Sequence, residues 1–219
     1  MSQTLRCAIV TGSSRGIGAA VAERLARDGL AVVINYSGHA EPAEKLAGRI
    51  TRAGGKAIAC KADVSDAASV AAMFDAATDA FGGVDVLVNN AGIMKLAPIA
   101  DSDDALVDSH LAINLKGVIN TLREAGRRLR DGGRVINFSS SVVGLYQPTY
   151  GVYAATKAGV ERSAVPYSCA ICESQMRVKT GSFTGADMGT RVSSMPTGRH
   201  SRSRTSCAKG LFIEVSRSQ

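Results

Sequence analysis

Apolar residues recur with two different periods along the first 160 residues. Short β-type runs stand at 7–10, 31–34, 56–60, 84–88 and 134–138. Between them, alanine-rich stretches repeat apolar side chains at helical spacing over 16–28, 41–53, 67–81 and a long one within 103–130. Gly29, Gly54-Gly55 and Gly82-Gly83 follow three of these stretches, where a helix C-terminus is expected. Strands that alternate with helices, and that need cover on both faces, predict an α/β fold: a single Rossmann-type domain with a doubly wound parallel sheet. Right-handed crossovers then gather the loops that follow the strands on one edge, the ligand edge of such sheets.

The first run leads directly into Thr11-Gly12-Ser13-Ser14-Arg15-Gly16-Ile17-Gly18, and a helical pattern starts at once. Gly12 permits a tight turn, Gly16 lets backbone approach a phosphate, and Gly18 lets the helix pack on the strand. The helix N-terminus then faces the anion. A glycine triplet in this context points to phosphate binding.

The spacing G-x-x-x-G-x-G resembles the short-chain dehydrogenase/reductase family, and four further markers follow in order. They are Asp63-Val64 after the third strand, Asn89-Asn90-Ala91-Gly92 after the fourth, Asn114 in the long fourth helix, and Tyr153-Ala154-Ala155-Thr156-Lys157 with Ser140 thirteen residues before its tyrosine. The resemblance covers residues 5 to about 160, and its texture is nearest to the 3-oxoacyl-carrier-protein reductase-like branch. It implies a nicotinamide cofactor held by Gly12, Ser14, Arg15, Gly16, Ile17, Gly18, Ser37, Asp63, Val64, Asn90, Ala91 and Gly92, with Tyr153 and Lys157 touching it. It implies Tyr153 as general acid in reduction and base in oxidation, Ser140 as a donor to the substrate oxygen, and Asn114 as support for a water-linked proton relay. Tyr153 and Lys157, four apart on a helix, share a face. An ammonium beside the phenol, helped by a positively charged oxidised nicotinamide, is expected to lower its pKa from the usual value near 10. Ser139, Ser140 and Ser141 are adjacent. Spacing selects Ser140, while Ser141, just before Val142-Val143-Gly144, is the alternative.

An acidic residue after the second strand would accept bonds from a ribose 2′-hydroxyl and repel a 2′-phosphate. The loop Ile34-Asn35-Tyr36-Ser37-Gly38-His39 has none, whereas Arg15 and Ser37 offer donors. NADP(H) is therefore expected over NAD(H). The expected substrate is a small carbonyl compound or secondary alcohol, and the resemblance implies a homodimer or homotetramer.

Charge and composition change the picture only near the end of the chain. Residues 1–160 hold 17 Lys and Arg against 15 Asp and Glu, while residues 161–219 hold 9 against 4, so the net charge of +7 belongs mainly to the last 59 residues. Those residues also lose alanine and gain serine, and Pro166 falls where the family's helix would continue. The break marks either a divergent segment or a change of reading frame. Residues 177–180 and 184–188 resemble the family's sixth strand and following loop faintly, and 211–215 reads as a last strand. If the substrate half is lost, a catalytically impaired nucleotide-binding protein is the alternative function. The basic residues lack interleaved aromatics, as in 199–204, so no nucleic-acid partner is expected. Five cysteines, an odd number with one CxxC pair (Cys169 and Cys172) rather than the two of a zinc ribbon, argue against a disulfide framework or zinc ribbon. His39, His110 and His200 have no metal-ligand spacing and are expected at the surface or on helices. Cys7 and Cys60 read as small buried strand residues. With no long apolar run, the expectation is a cytoplasmic protein without a membrane contact.

Overall fold

Four consecutive apolar residues, Cys7–Val10, form the central strand β1, and all four are fully buried. No polar residue alternates along it, so both of its faces must be covered. The computed structural model describes residues 5–145 and 147–163, and the backbone of two further strands at 176–183 and 210–217. In it β2 (Ala31–Tyr36) and β4 (Val84–Asn89) flank β1 in parallel, with Ala8 opposite both Val32 and Val86. β3 (Lys56–Lys61) pairs with β2, and β5 (Leu129–Phe138) with β4, also in parallel. The order β3-β2-β1-β4-β5 is that of a doubly wound sheet.

Helices α1 (Gly16–Arg27) and α2 (Glu41–Arg52) cover one face. Ala22, Leu46 and Ile50 there meet Val10, Val32 and Ile34. Helices α3 (Ala67–Phe81) and α5 (Gly117–Arg128) cover the other, where Met73, Phe74 and Leu122 meet Ile9, Val33 and Leu87. Each large side chain fully buried here contributes about 1.5–3 kcal/mol. Helix α3 starts where the Asp66 carboxylate accepts from the amides of Ala68 and Ser69, and it ends at Gly82 with φ of 79°. At the sheet edge remote from the ligand edge, Asp85 Oδ2 accepts from Cys7 N (2.7 Å) and Arg130 Nη1 (3.1 Å). Arg130 also donates to the carbonyls of Leu5 and Phe81. Burial, with the Asp85 charge adding and Arg130 opposing, pushes the Cys7 thiol up to about 12.

Two expectations need correction, the regularity of the fourth helix and the burial of Cys60. The long fourth helix is continuous but not regular: α4 (Asp104–His110) passes through a π-helical turn, Leu111–Lys116, into α5. A wide turn of this kind keeps helical hydrophobic spacing, so periodicity does not reveal it. The doubly wound parallel sheet β3-β2-β1-β4-β5 is as expected, and the part of the chain expected to be atypical extends it. β7 (Gly210–Arg217) runs antiparallel beside β5, and β6 (Met176–Phe183) pairs antiparallel with β7 at the edge. A short apolar run looks alike in either kind of pairing. Cys60 is half-buried rather than buried, because β3 ends the sheet. Pro166, residues 184–188, the basic run 199–204 and His200 lie outside the described residues. Among the described residues no helix is long and apolar enough to cross a membrane, and no group of three metal-ligating side chains occurs.

Candidate active site

The turn after β1 is shaped by what its glycines lack. Gly12 and Gly16 both have φ of 60°, a left-handed conformation that side chains disfavour. A Cβ on Gly12 would stand 2.8 Å from Ala91 Cα, and one on Gly18 would stand 2.5 Å from Asn90 Nδ2 and 2.7 Å from the Gly12 carbonyl. Above Gly16, in contrast, there is open space. Arg15 occupies the N-cap of α1 without capping it through its side chain, and the first turn carries no acidic residue. The first amides of α1 therefore keep their affinity for an anion.

Side chains from neighbouring strands fix the turn. Asn35 Oδ1 accepts from Gly12 N (2.9 Å) while its Nδ2 donates to Ala62 O (2.9 Å). Thr11 Oγ1 accepts from the amides of Asn90 and Ala91, both at 3.0 Å. Asn90 Nδ2 returns bonds to the carbonyls of Thr11 and Gly12. The ends of β1, β2 and β4 are thereby tied into one wall.

That wall borders a cleft of about 540 Å³. Gly12, Ser14, Arg15, Ile17, Ser37, Asp63, Val64, Asn90, Ala91 and Gly92 line it. Gly16, which is exposed, and Gly18, which is buried, are not part of this lining. Asp63 Oδ1 accepts from the amide (2.9 Å) and hydroxyl (2.7 Å) of Ser65. The open approach above Gly16, the uncapped helix and the cleft volume fit a dinucleotide.

The second cluster lies at the end of β5 and on α6 (Gly151–Ser163), after a 3₁₀ turn, Ser141–Gly144. Lys157 is buried and Nζ donates to Phe138 O at 2.9 Å. Burial lowers its pKa from 10.5 to about 8. Asn114, in the π-helical turn, clasps Ile93: Oδ1 accepts its amide (2.8 Å) and Nδ2 donates to its carbonyl (2.9 Å). Asn114 and Lys157 converge on Gly92, where a Cβ would stand 3.2 Å from Asn114 Oδ1 and 3.7 Å from Lys157 Nζ. The cluster thus opens on the cleft wall. Tyr153 is half-buried, with Lys157 Nζ 5.9 Å from its ring centroid.

The phenol departs from expectation. Burial pushes the Tyr153 pKa up, a side-chain hydrogen bond with Ser140 opposes this, and Tyr150 adds to the rise. Lys157 is not among the groups that shift it, and its Nζ donates to the Phe138 carbonyl. Of the three adjacent serines, Ser140 is therefore the one whose hydroxyl acts on the Tyr153 phenol. Ser139 Oγ instead donates to Glu161 Oε1 (2.6 Å), and Ser141 begins the 3₁₀ turn.

Sequence reasoning passed over Asn35, Thr11 and His110. Asn35 carried a signal as a polar residue ending an apolar strand. His110, expected at the surface or on a helix, ends α4 but is fully buried, whereas His39 is exposed at the cleft.

The short chain dehydrogenase family profile matches residues 6–184. A short-chain type dehydrogenase/reductase of Picea abies is 44% identical over 166 residues, covering 71% of this chain and 61% of that protein. An NADPH-dependent aldehyde reductase-like protein of Arabidopsis thaliana is 44% identical over 170 residues, covering 71% and 63%. A short chain dehydrogenase from Burkholderia cenocepacia, crystallised with NADP, superposes with a TM-score of 0.70 at 40% identity, over 74% of this chain and 66% of that one. The chain spans about three fifths of the length of the curated relatives it matches. These likenesses do not single out the 3-oxoacyl-carrier-protein reductase-like branch.

Proposed function

The chain belongs to the short-chain dehydrogenase/reductase family, and on that premise we propose that it is an NADP(H)-dependent oxidoreductase interconverting a carbonyl compound and its alcohol. The observation that supports this most is the convergence of Lys157 and Asn114 on Gly92, with the Lys157 ammonium 5.9 Å from the Tyr153 ring centroid and Ser140 acting on the phenol. When bound, the cofactor supplies the hydride in reduction and accepts it in oxidation. The amides at the start of α1 hold its pyrophosphate, and Arg15 and Ser37 take a 2′-phosphate. Lys157 holds the ribose on the nicotinamide side.

In reduction Tyr153 Oη gives its proton to the substrate oxygen, to which Ser140 Oγ also donates a hydrogen bond. A phenol pushed up by burial stays protonated at neutral pH, as a proton donor must. Lys157, with its pKa near 8, exchanges protons readily in the neutral range and returns one to Tyr153. Asn114 holds Gly92-Ile93 and the π-helical turn in place for a water-linked relay.

A second reading is favoured by one contact. Lys157 Nζ donates to Phe138 O, which supports a nucleotide-binding protein without turnover if the lysine stays there when cofactor binds. Purified protein assayed with NADPH and a panel of aldehydes and ketones separates the two. Consumption of NADPH by the wild type and its loss in Tyr153→Phe support the oxidoreductase; tight NADPH binding with no consumption supports the second reading.

A further inference from the structure

His110 is the last residue of α4, has no exposed surface, and is bonded at both ring nitrogens. Nδ1 lies 2.8 Å from Leu106 O, which can only accept, and Nε2 lies 3.1 Å from Lys95 N, which can only donate. These partners fix the proton arrangement. Nδ1–H donates to the carbonyl, Nε2 accepts the amide, and the ring is neutral. The same ring meets Tyr153 edge to face, with centroids 6.4 Å apart at 78°.

Lys95 lies within a stretch held at alternate residues. Ile93 is clasped by Asn114, Lys95 N by His110, and Ala97 N donates to Thr149 O (3.2 Å). His110 and Asn114 are four residues apart, so one helix face carries both holds. The stretch runs from the cleft wall, which Ile93 lines, towards the start of α6, where Ile99 packs against Gly151. The residues between the holds, Met94 and Leu96, are 57% and 40% exposed.

We propose that His110 is a positioning residue for the reaction: by accepting the Lys95 amide while its ring touches Tyr153, it sets Met94 and Leu96 relative to the phenol and so seats an apolar carbonyl substrate. This rests on the oxidoreductase reading. Neither residue type nor helical spacing requires a histidine here, since an apolar side chain would fill the same volume. What an apolar side chain lacks is the acceptor for Lys95 N.

Two variants separate the parts of the interaction. His110→Phe keeps a ring against Tyr153 and removes the acceptor; His110→Gln reaches the Nε2 position with an acceptor and removes the ring. In His110→Phe, KM for the carbonyl turned over fastest should rise about tenfold, kcat should change less than about threefold, and NADPH affinity should hold within about twofold. His110→Gln should recover most of the KM. Exchange of the Lys95 amide should be about tenfold faster in His110→Phe than in the wild type and in His110→Gln. Unchanged KM in His110→Phe, or His110→Gln no better than it, overturns the proposal. If His110→Phe does not fold, His110→Asn replaces it, since asparagine reaches only the Nδ1 position. If the wild type turns over no carbonyl, the oxidoreductase reading fails, and the exchange rates alone decide the hold: equal rates at Lys95 overturn it.

Discussion

The two halves of the ligand edge are built by opposite means. Around Thr11–Gly18 the structure depends on missing atoms, because backbone meets backbone so closely that a single Cβ on Gly12 or Gly18 has no room. At the corner of β5 and α6 it depends on polar atoms that are present. There Lys157, Asn114, His110 and Ser139 each spend their side chain on a distant partner. The first region should thus fail when atoms are added, and the second when polar atoms are removed or their charge is changed.

The largest effect expected is in the second region. Tyr153→Phe deletes one oxygen and should lower kcat about a thousandfold, within the range for loss of a general acid. Its NADPH affinity, set by the first region, should change less than about twofold; a comparable loss of binding would erase the distinction between the halves. Gly18→Ala is the matching insertion. Its Cβ would collide with the Gly12 carbonyl and Asn90, costing about 1–3 kcal/mol, seen as a lower melting temperature and NADPH affinity weaker by about tenfold or more. Gly16→Ala has open space and suffers only the left-handed backbone, about 1–2 kcal/mol.

Within the cleft, Arg15→Ala should weaken NADPH binding about tenfold and leave NADH binding nearly unchanged, since a lost ionic hydrogen bond is worth about 1.5–3 kcal/mol. Equal losses for both cofactors would deny Arg15 its role at the 2′-phosphate. The smallest effect concerns charge in the catalytic corner. The Lys157 pKa is about 8 in the folded chain against an ordinary 10.5. As pH falls from 10.5 towards 8, the unfolded chain binds this proton first, so stability declines across that window and levels off below it. In Lys157→Met the part of the slope due to this group should vanish, which melting temperatures measured from pH 7.5 to 10.5 would register.

How much of this was legible in the sequence follows the same division. The strands at 7–10, 31–34, 56–60 and 84–88 and the helix at 67–81 are local patterns, and the structure has them within a residue or two. The glycine turn was readable for a related reason, since a left-handed φ or a close approach restricts the residue type at that position alone. The holds on Gly12 by Asn35 and on Lys95 by His110 were not. A buried polar side chain looks like an exposed one until its partner, 23 or 15 residues away, is known. The π-helical turn escaped because it leaves helical periodicity almost intact, and the antiparallel edge because pairing direction leaves no trace in a short apolar run. The rise of the Tyr153 pKa in the protein alone was not legible because its largest cause is burial, which depends on the fold.

The most direct test of the central claim uses the full 219-residue chain with NADPH carrying deuterium at the transferable C4 position and the aldehyde and ketone panel. The account predicts an alcohol product with one deuterium on the carbinol carbon from the wild type and none above background from Tyr153→Phe. NADPH that binds both proteins equally while no product gains the label would contradict it.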